Sequence, residues 1–450
     1  MTSKTKPIAH DYVARYETFE AERRSQGDPA WLATRRADGL SAFHALGFPT
    51  RRHEDWRFTN VAPIADGPFT RAPARPVDTR DVARASMALG DAHRLVFIDG
   101  RYAPALSNPR AEALPPGTIA TSFALATKAH SARLEAHLAA HADARSDAFL
   151  ALNTAMIEDG CFIDVPKNAV VTHPIHVVWV STGRDGEAAF PRCLALAGEH
   201  AQLTLVQEYV DLAAGRHFTC AATEVVMGAG SKVVSYLVER EGMRGFHIHS
   251  QRIDQGRDTD FASHSAMLGG LLARSTMNPV LAGEGGTSML NGIYVLSGEQ
   301  HVDNFMRVEH DLPHCSSRQY YKGILDGKAH GVFSGRIIVA RGAQKTDAIQ
   351  NNQNLLLSEQ AQADTKPQLE IYADDVRCTH GAIIGKVDAN ALYYLMSRGI
   401  DRATARAILI HAYARESLER MALAPVREFL ETEILARLGQ TAILERSTTT

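Results

Sequence analysis

The sequence predicts a mainly β chain, a coil of repeated strands with helical regions before and after it, and three observations carry that prediction. From about Gly160 to Gly381 short β-branched runs recur, among them Val177–Val180, Leu203–Val206, Val233–Tyr236, Gly292–Val295 and Ile337–Val339, bounded by Gly, Asp or Asn. Turn glycines precede several of these runs at a steady interval. Gly198 to Gly228 spans thirty positions and Gly298 to Gly327 twenty-nine, the period of a strand–turn–strand repeat. The run Gln350-Asn351-Asn352-Gln353-Asn354 supplies side-chain amides that satisfy one another when like strands stack. A parallel β-helix accounts for this pattern; a β-sandwich or jelly roll with long loops is the competing arrangement.

Residues 1–62 are predicted as an N-terminal helical region. Tyr12, Tyr16 and Phe19, then Leu40, Phe43 and Leu46, recur at helical spacing. Asp28-Pro29 marks a helix start, with proline in its tolerated first turn. The charged run Arg51–Arg57 encloses Trp56 and reads as a surface loop that this side chain anchors to the body. Residues 63–159 are predicted as a mixed α/β region and linker. Pro63–Pro76 is rich in Pro, Gly and Ala, Arg94–Gly100 reads as a buried strand ending in a turn, and Leu134–Asn153 returns to helical spacing. Residues 160–385 form the predicted β-helix core and residues 386–450 a C-terminal helical domain. There Asp388 caps a helix that Gly399 ends, and Asp401 caps a second. A third helix starts at Pro425 and carries an apolar stripe, Val426, Phe429, Leu430, Ile434 and Leu438, which also fits packing on the core. Ser447–Thr450 reads as a frayed tail.

Composition excludes several function classes. Of 450 residues, 45% are hydrophobic and 22% charged, as in an ordinary globular protein. A net charge of −3 gives no broad basic surface, so nucleic acid is a poor partner. No apolar run approaches the ~18 residues that span a bilayer, and the N-terminal MTSKTKPIAHDYV has no apolar core of a signal peptide. The five cysteines, Cys161, Cys193, Cys220, Cys315 and Cys378, are scattered and odd in number, with no CxxC. They argue for a reducing, cytoplasmic setting and against a preassembled four-cysteine site.

Enzyme signatures fail on inspection. Gly323-Ile-Leu-Asp-Gly327-Lys328-Ala329 is one residue short of a phosphate loop, and Ala329 stands where Ser or Thr would hold magnesium. Met227-Gly-Ala-Gly230 lacks the third glycine of a dinucleotide fingerprint. Histidine offers two metal candidates. His247 and His249 share one face of a strand, and His310, His314 and Cys315 fall within six positions. Neither set has full four-ligand spacing, so hydrogen-bonded histidines on a solenoid surface are the alternative.

The densest chemistry lies in Gln344–Gly381. Cys378 and His380, a soft and a borderline metal ligand, stand two apart, which places both on one face of an extended strand. The adjacent Arg377 favours a thiolate. The block KTDAIQNNQNLLLSEQAQADTKPQLEIYADDVRCTHGA, followed by YYLMSRGI at Tyr393–Ile400 and preceded far upstream by EDWRFTN at Glu54–Asn60, resembles the SufD family of the SUF iron–sulfur cluster assembly scaffold. The sister SufB family shares the architecture, but Asp-Asp-Val-Arg-Cys-Thr-His is the SufD form. The resemblance covers most of the chain and is strongest from about Gly331 to Ile400.

That resemblance implies a right-handed parallel β-helix core and a non-catalytic scaffold subunit. It implies pairing with a SufB-like subunit and docking of a SufC-like ATPase on the C-terminal helices, with the Val426–Leu438 stripe as the candidate contact. Stoichiometry would be one SufB, one SufD and two SufC, and a homodimer is open to the isolated chain. Cys378 and His380 would lie near the SufB junction, as ligands of a transient iron–sulfur cluster or of iron. No cofactor would be held tightly by this chain alone; flavin in the assembled complex stays open, with no flavin motif here. Two ligands do not hold a cluster securely, so the partner would complete the set and the product could be released. Two other functions compete: a β-helix carbohydrate lyase or hydrolase, with Asp254, Asp258 and Asp260 as acids, and a purely structural adaptor without metal chemistry.

Overall fold

Strands alternate between two long sheets, as a chain winding in coils requires. In the computed structural model, which describes residues 8–439 with side chains from residue 15, the expected tail Ser447–Thr450 lies outside the described residues. One sheet runs from Cys161–Val165 through Arg192–Ala197, Phe218–Met227, Phe246–Gln255, Leu272–Leu281, His301–His310 and His330–Val339 to Gln362–Ile371. The other runs from His93–Ile98 through Ile175–Ser181, Gln202–Asp211, Lys232–Glu239, Asp260–Met267, Thr287–Leu296, Ser316–Leu325 and Asp347–Leu356 to Arg377–Gly385. Pairing along both is parallel. Phe246 meets Leu272, twenty-six positions on, and His330 meets Gln362, thirty-two on, which brackets the glycine interval. The solenoid prediction holds, and the sandwich alternative does not.

Glycines recur where coils turn because the backbones touch. A Cβ on Gly228 would stand 2.8 Å from the backbone nitrogen of Glu199 one coil earlier, and one on Gly283 would stand 2.1 Å from that of Arg257. Between the sheets runs one apolar column, from Leu95 and Phe97 through Leu205, Val233, Ile253, Met277 and Val308 to Ile337 and Val339. The two ends of the stack differ. At the N-terminal end antiparallel strands close both sheets, Ile119–Ser122 on Cys161–Val165 and Arg101–Tyr102 on His93–Ile98. At the C-terminal end the last strands are long and parallel; the outermost strands at both ends have one neighbour each.

The amide run behaves differently from the expected ladder. Gln350, Asn352 and Asn354 point inward and are buried, but their neighbours one coil back are Gln319, Tyr321 and Gly323. Only the Gln319–Gln350 step repeats an amide. Asn354 Nδ2 donates to Asn352 Oδ1 in the same strand, at 2.7 Å, and Tyr294 Oη donates to Asn354 Oδ1, at 2.5 Å. Aromatic residues interrupt the stack, so the amides bond to Tyr294 and to the carbonyls of Tyr321 and Gly335 as well as to one another.

The flanking regions follow the sequence with three revisions. The strand His93–Ile98, assigned above to the mixed region, is part of the second sheet and pairs with Ile175–Ser181. Part of the expected linker, Thr70–Arg71, pairs with Glu187–Ala189. The helix expected over Leu134–Asn153 divides into Ser131–His137 and Ala148–Ala155. The Glu224 carboxylate accepts from the backbone N–H groups of Ala139, His141 and Ala142 and so holds the chain out of a helix there. Pro29 does precede the helix Ala30–Leu46. Trp56, in the short 3-10 helix Glu54–Trp56, lies 3.9 Å under the Arg274 guanidinium and anchors its segment as expected.

Three helices close the described chain. Asp388 caps Ala389–Ser397 and Asp401 caps Arg402–Leu418 through backbone N–H groups, as read from the sequence. The third, Ala424–Arg437, carries proline in its first turn. Its stripe is not a free surface. Val426, Leu430 and Ile434 are fully buried against Tyr236, Val238, Ala266 and Ile293 of the second sheet, and Phe429 and Leu438 pack at the margin. Burying these side chains stabilises the chain itself by roughly 1.5–3 kcal/mol each. Three of the five stripe residues are thus covered by this chain's own solenoid, as the packing alternative requires.

Candidate functional site: the open end of the solenoid

Strands Gln362–Ile371 and Arg377–Gly385 are each hydrogen-bonded on one side only, and their outer edges present backbone donors and acceptors. Ile371, Tyr372, Ile383 and Ile384 are exposed there. Just beyond, the helix Ala389–Ser397 exposes Tyr393, Tyr394 and Met396. An apolar patch of this kind marks an interaction surface.

Cys378 pairs in register with Ala348, and His380 with Gln350. Both partners are buried in the interior, so Cys378 and His380 lie over it on one side of the strand, Cys378 half-buried against the core and His380 exposed. Behind His380 the inward column continues through Gln350 and Gln319 to Leu290. Both amide atoms of Gln319, and Oε1 of Gln350, find no hydrogen-bond partner among the described residues. The interior thus turns polar towards the open end. Cys378 is not activated as Arg377 suggested. Burial pushes its thiol up, the Asp347 carboxylate adds to that, and Arg377 is exposed.

The second metal candidate does not assemble. His310 is buried with Nε2 2.9 Å from Ser317 Oγ, His314 is exposed at a left-handed turn, and the Cys315 thiol donates to the Gly283 carbonyl at 3.2 Å. Burial pulls the His310 imidazole down to about 4, so it is neutral at pH 7. Nor do the candidate acids of a carbohydrate enzyme converge. Asp254 pairs with His141 and Arg252 on the first sheet, Asp258 sits at a turn beside Arg257, and Asp260 accepts from Thr287 on the second sheet.

His247 and His249 are buried inside the solenoid, contrary to the surface alternative. Among the described residues, one group of three or more potential ligand side chains converges, with ligand atoms within 4.8 Å of one another: Glu239, Glu241 and His247. His217 stands beside it, Nε2 3.5 Å from Glu241 Oε1. Burial pushes Glu239 up to about 7. It would do the same to Glu241, but the two imidazoles hold that carboxylate down at about 2. Glu239, Glu241 and His217 escaped the sequence reading because a corner of the coil, not a short motif, gathers them. The signal was the roughly one-coil interval between His217 and His247.

The sequence matches two family models: the SufBD protein N-terminal region over residues 6–177, and the SUF system FeS cluster assembly SufBD core domain over residues 179–413. It is 33% identical over 429 residues to the iron–sulfur cluster assembly protein SufD of Escherichia coli (strain K12), spanning 94% of this chain and 95% of that protein. It is 30% identical over 407 residues to the SufBD family protein slr0076 of Synechocystis, spanning 88% and 89%. Against the SufD protein of Bacillus subtilis identity is 27% over 419 residues, spanning 90% and 94%. Among the described residues no helix is long and apolar enough to cross a membrane. With both halves of the family matched and a SufD relative aligned along nearly its whole length, the chain belongs to the SufBD family of SUF-system iron–sulfur cluster assembly proteins.

Proposed function

We propose that this chain is a non-catalytic scaffold half for iron–sulfur cluster assembly. Its open end pairs with a SufB-like chain, and its C-terminal region holds a SufC-like ATPase. The observation that carries this reading is the end asymmetry. One end of the stack finishes in short antiparallel strands, while the other presents two long parallel edges with four apolar side chains uncovered. A second solenoid continues both sheets there by strand addition. Cys378 and His380 then face the junction, where an incoming chain supplies the further ligands that iron or a nascent cluster needs. The Gly323–Ala329 segment supports a non-catalytic role, since it is strand and turn followed by the strand His330–Val339, not the helix a phosphate loop requires.

Replacing His380 with alanine is expected to leave folding and partner pull-down intact and to lower the activity of an iron–sulfur enzyme severalfold in iron-limited cells. Cys378→Ala is expected to have a weaker effect. Full enzyme activity in the His380→Ala strain, at normal protein level, would remove His380 from the assembly step.

The exposed face of Ala389–Ser397 replaces the buried stripe as the ATPase contact. Tyr393→Ala with Tyr394→Ala is expected to weaken ATPase co-purification at least tenfold while leaving the melting temperature within a few degrees, because both rings are exposed. Unchanged co-purification would move the contact elsewhere.

A further inference from the structure

The buried cluster at Glu239, Glu241, His217 and His247 lies on strands in the middle of the stack, away from the open end. Glu239 ends the strand Lys232–Glu239, Glu241 follows in the turn, and His247 is the second residue of Phe246–Gln255. Turning the corner therefore brings three ligand side chains together. His217 comes from the coil before, immediately ahead of the strand Phe218–Met227. All four residues are at least 98% buried.

The chemistry of each group is that of a ligand held in place. His217 Nδ1 donates to the Gly215 carbonyl at 3.2 Å, which aims Nε2 into the cluster, 3.5 Å from Glu241 Oε1 and without a hydrogen bond of its own. A backbone carbonyl fixes metal-bound imidazoles in the same way. His247 Nδ1 stands 2.9 Å from Glu241 Oε2, and Thr219 Oγ1 donates to Glu241 Oε1 at 2.5 Å. Glu239 is oriented by the backbone N–H groups of Glu241 at 2.8 Å and Gly269 at 2.9 Å.

Charge sets this corner apart from its neighbours. Two other buried carboxylates of the solenoid, Glu208 and Glu224, each hold an arginine, Arg240 and Arg192. Glu239 and Glu241 have no arginine or lysine partner among the described residues, yet they sit together out of water. Their neighbours of opposite charge among the described residues are the imidazoles of His217 and His247 alone, and a metal ion bound there would take the place of the protons these rings share with the carboxylates. Glycines let the ligand groups sit hard against the backbone: a Cβ on Gly269 would stand 2.5 Å from Glu239 Oε1, and one on Gly245 would stand 2.7 Å from the His217 ring.

We infer that Glu239, Glu241, His217 and His247 form a site for one divalent first-row transition ion, which ties two successive coils together at their corner. Two imidazoles with two carboxylates suit Fe²⁺, Mn²⁺, Co²⁺ or Zn²⁺. The absence of a thiolate in the set disfavours Cu⁺ or a cluster, and the imidazoles disfavour Mg²⁺ and Ca²⁺.

The test uses the untagged full chain, stripped with chelator and titrated anaerobically with Co²⁺. The expected result is one Co²⁺ per chain, visible d–d bands without thiolate charge transfer, displacement by Zn²⁺ but not Mg²⁺, and a higher melting temperature. His217→Gln and Glu241→Gln should each weaken binding at least tenfold, whereas His314→Ala, at an exposed imidazole outside the site, should bind as the parent does. If a cluster variant fails to fold, the stoichiometry and spectrum of the parent chain decide. No stoichiometric Co²⁺, a thiolate charge-transfer band, or undiminished binding in folded cluster variants overturns the site.

Discussion

Glu224→Ala is expected to lower the free energy of unfolding by about 3–5 kcal/mol, the cost of leaving one half of a buried ion pair behind. Arg192 Nη2 meets Glu224 Oε2 at 2.7 Å with both side chains fully buried. Removing the carboxylate strands the guanidinium among Asn153 and Thr154, which accept from Nη1 at 2.9 and 3.0 Å. It also frees the three backbone N–H groups of Ala139, His141 and Ala142, so the segment joining two short helices loses its latch. Urea unfolding of the purified chain measures the loss. The control is Arg192→Met with Glu224→Leu, which removes both charges and should recover part of the stability, though not the latch. A loss under 1 kcal/mol in Glu224→Ala would show that the pair contributes nothing net.

Acidification is expected to destabilise the chain steeply between about pH 6.5 and pH 4. Burial holds His264 and His310 down at about 4, against 6.5 for a free imidazole. The unfolded chain therefore binds more protons than the folded one in this window. These groups contribute stability that is fully present above 6.5 and lost as pH falls through the folded values. At one pKa unit per 1.36 kcal/mol, each accounts for roughly 3 kcal/mol at the acid limit. His310→Gln should flatten the profile by one such step. A melting temperature equal at pH 4.5 and pH 7 would refute the neutral, buried state of both rings.

Both predictions rest on interior polar groups, the features that sequence reveals least. The coil itself was legible because its period is local and repeated: turn glycines at Gly198, Gly228, Gly298 and Gly327 mark corners where backbones touch. The caps at Asp388 and Asp401 were legible for the same reason, since a cap needs only its own first turn. The face shared by Cys378 and His380 followed from strand alternation alone. The Val426–Leu438 stripe shows the limit. Periodicity says that a helix has an apolar face, not whether its own solenoid or another chain covers it. The cluster at Glu239 was invisible because His217 reaches it from one coil earlier. The thiol of Cys378 was misjudged from Arg377, a neighbour in sequence that points away from it in space.

The two ends of the stack also bear on assembly size. A solenoid open at both ends would add copies head to tail and grow into a fibre, because a heterologous contact that does not close propagates without limit. Here the antiparallel strands Ile119–Ser122 and Arg101–Tyr102 break the parallel repeat on one side. The edges of Gln362–Ile371 and Arg377–Gly385 are the long, in-line parallel ones, so an end-to-end union through them leaves the short antiparallel strands outermost. On the proposed end-to-end pairing, a further body would have to stack on those short antiparallel strands, where the parallel register of the coil is broken.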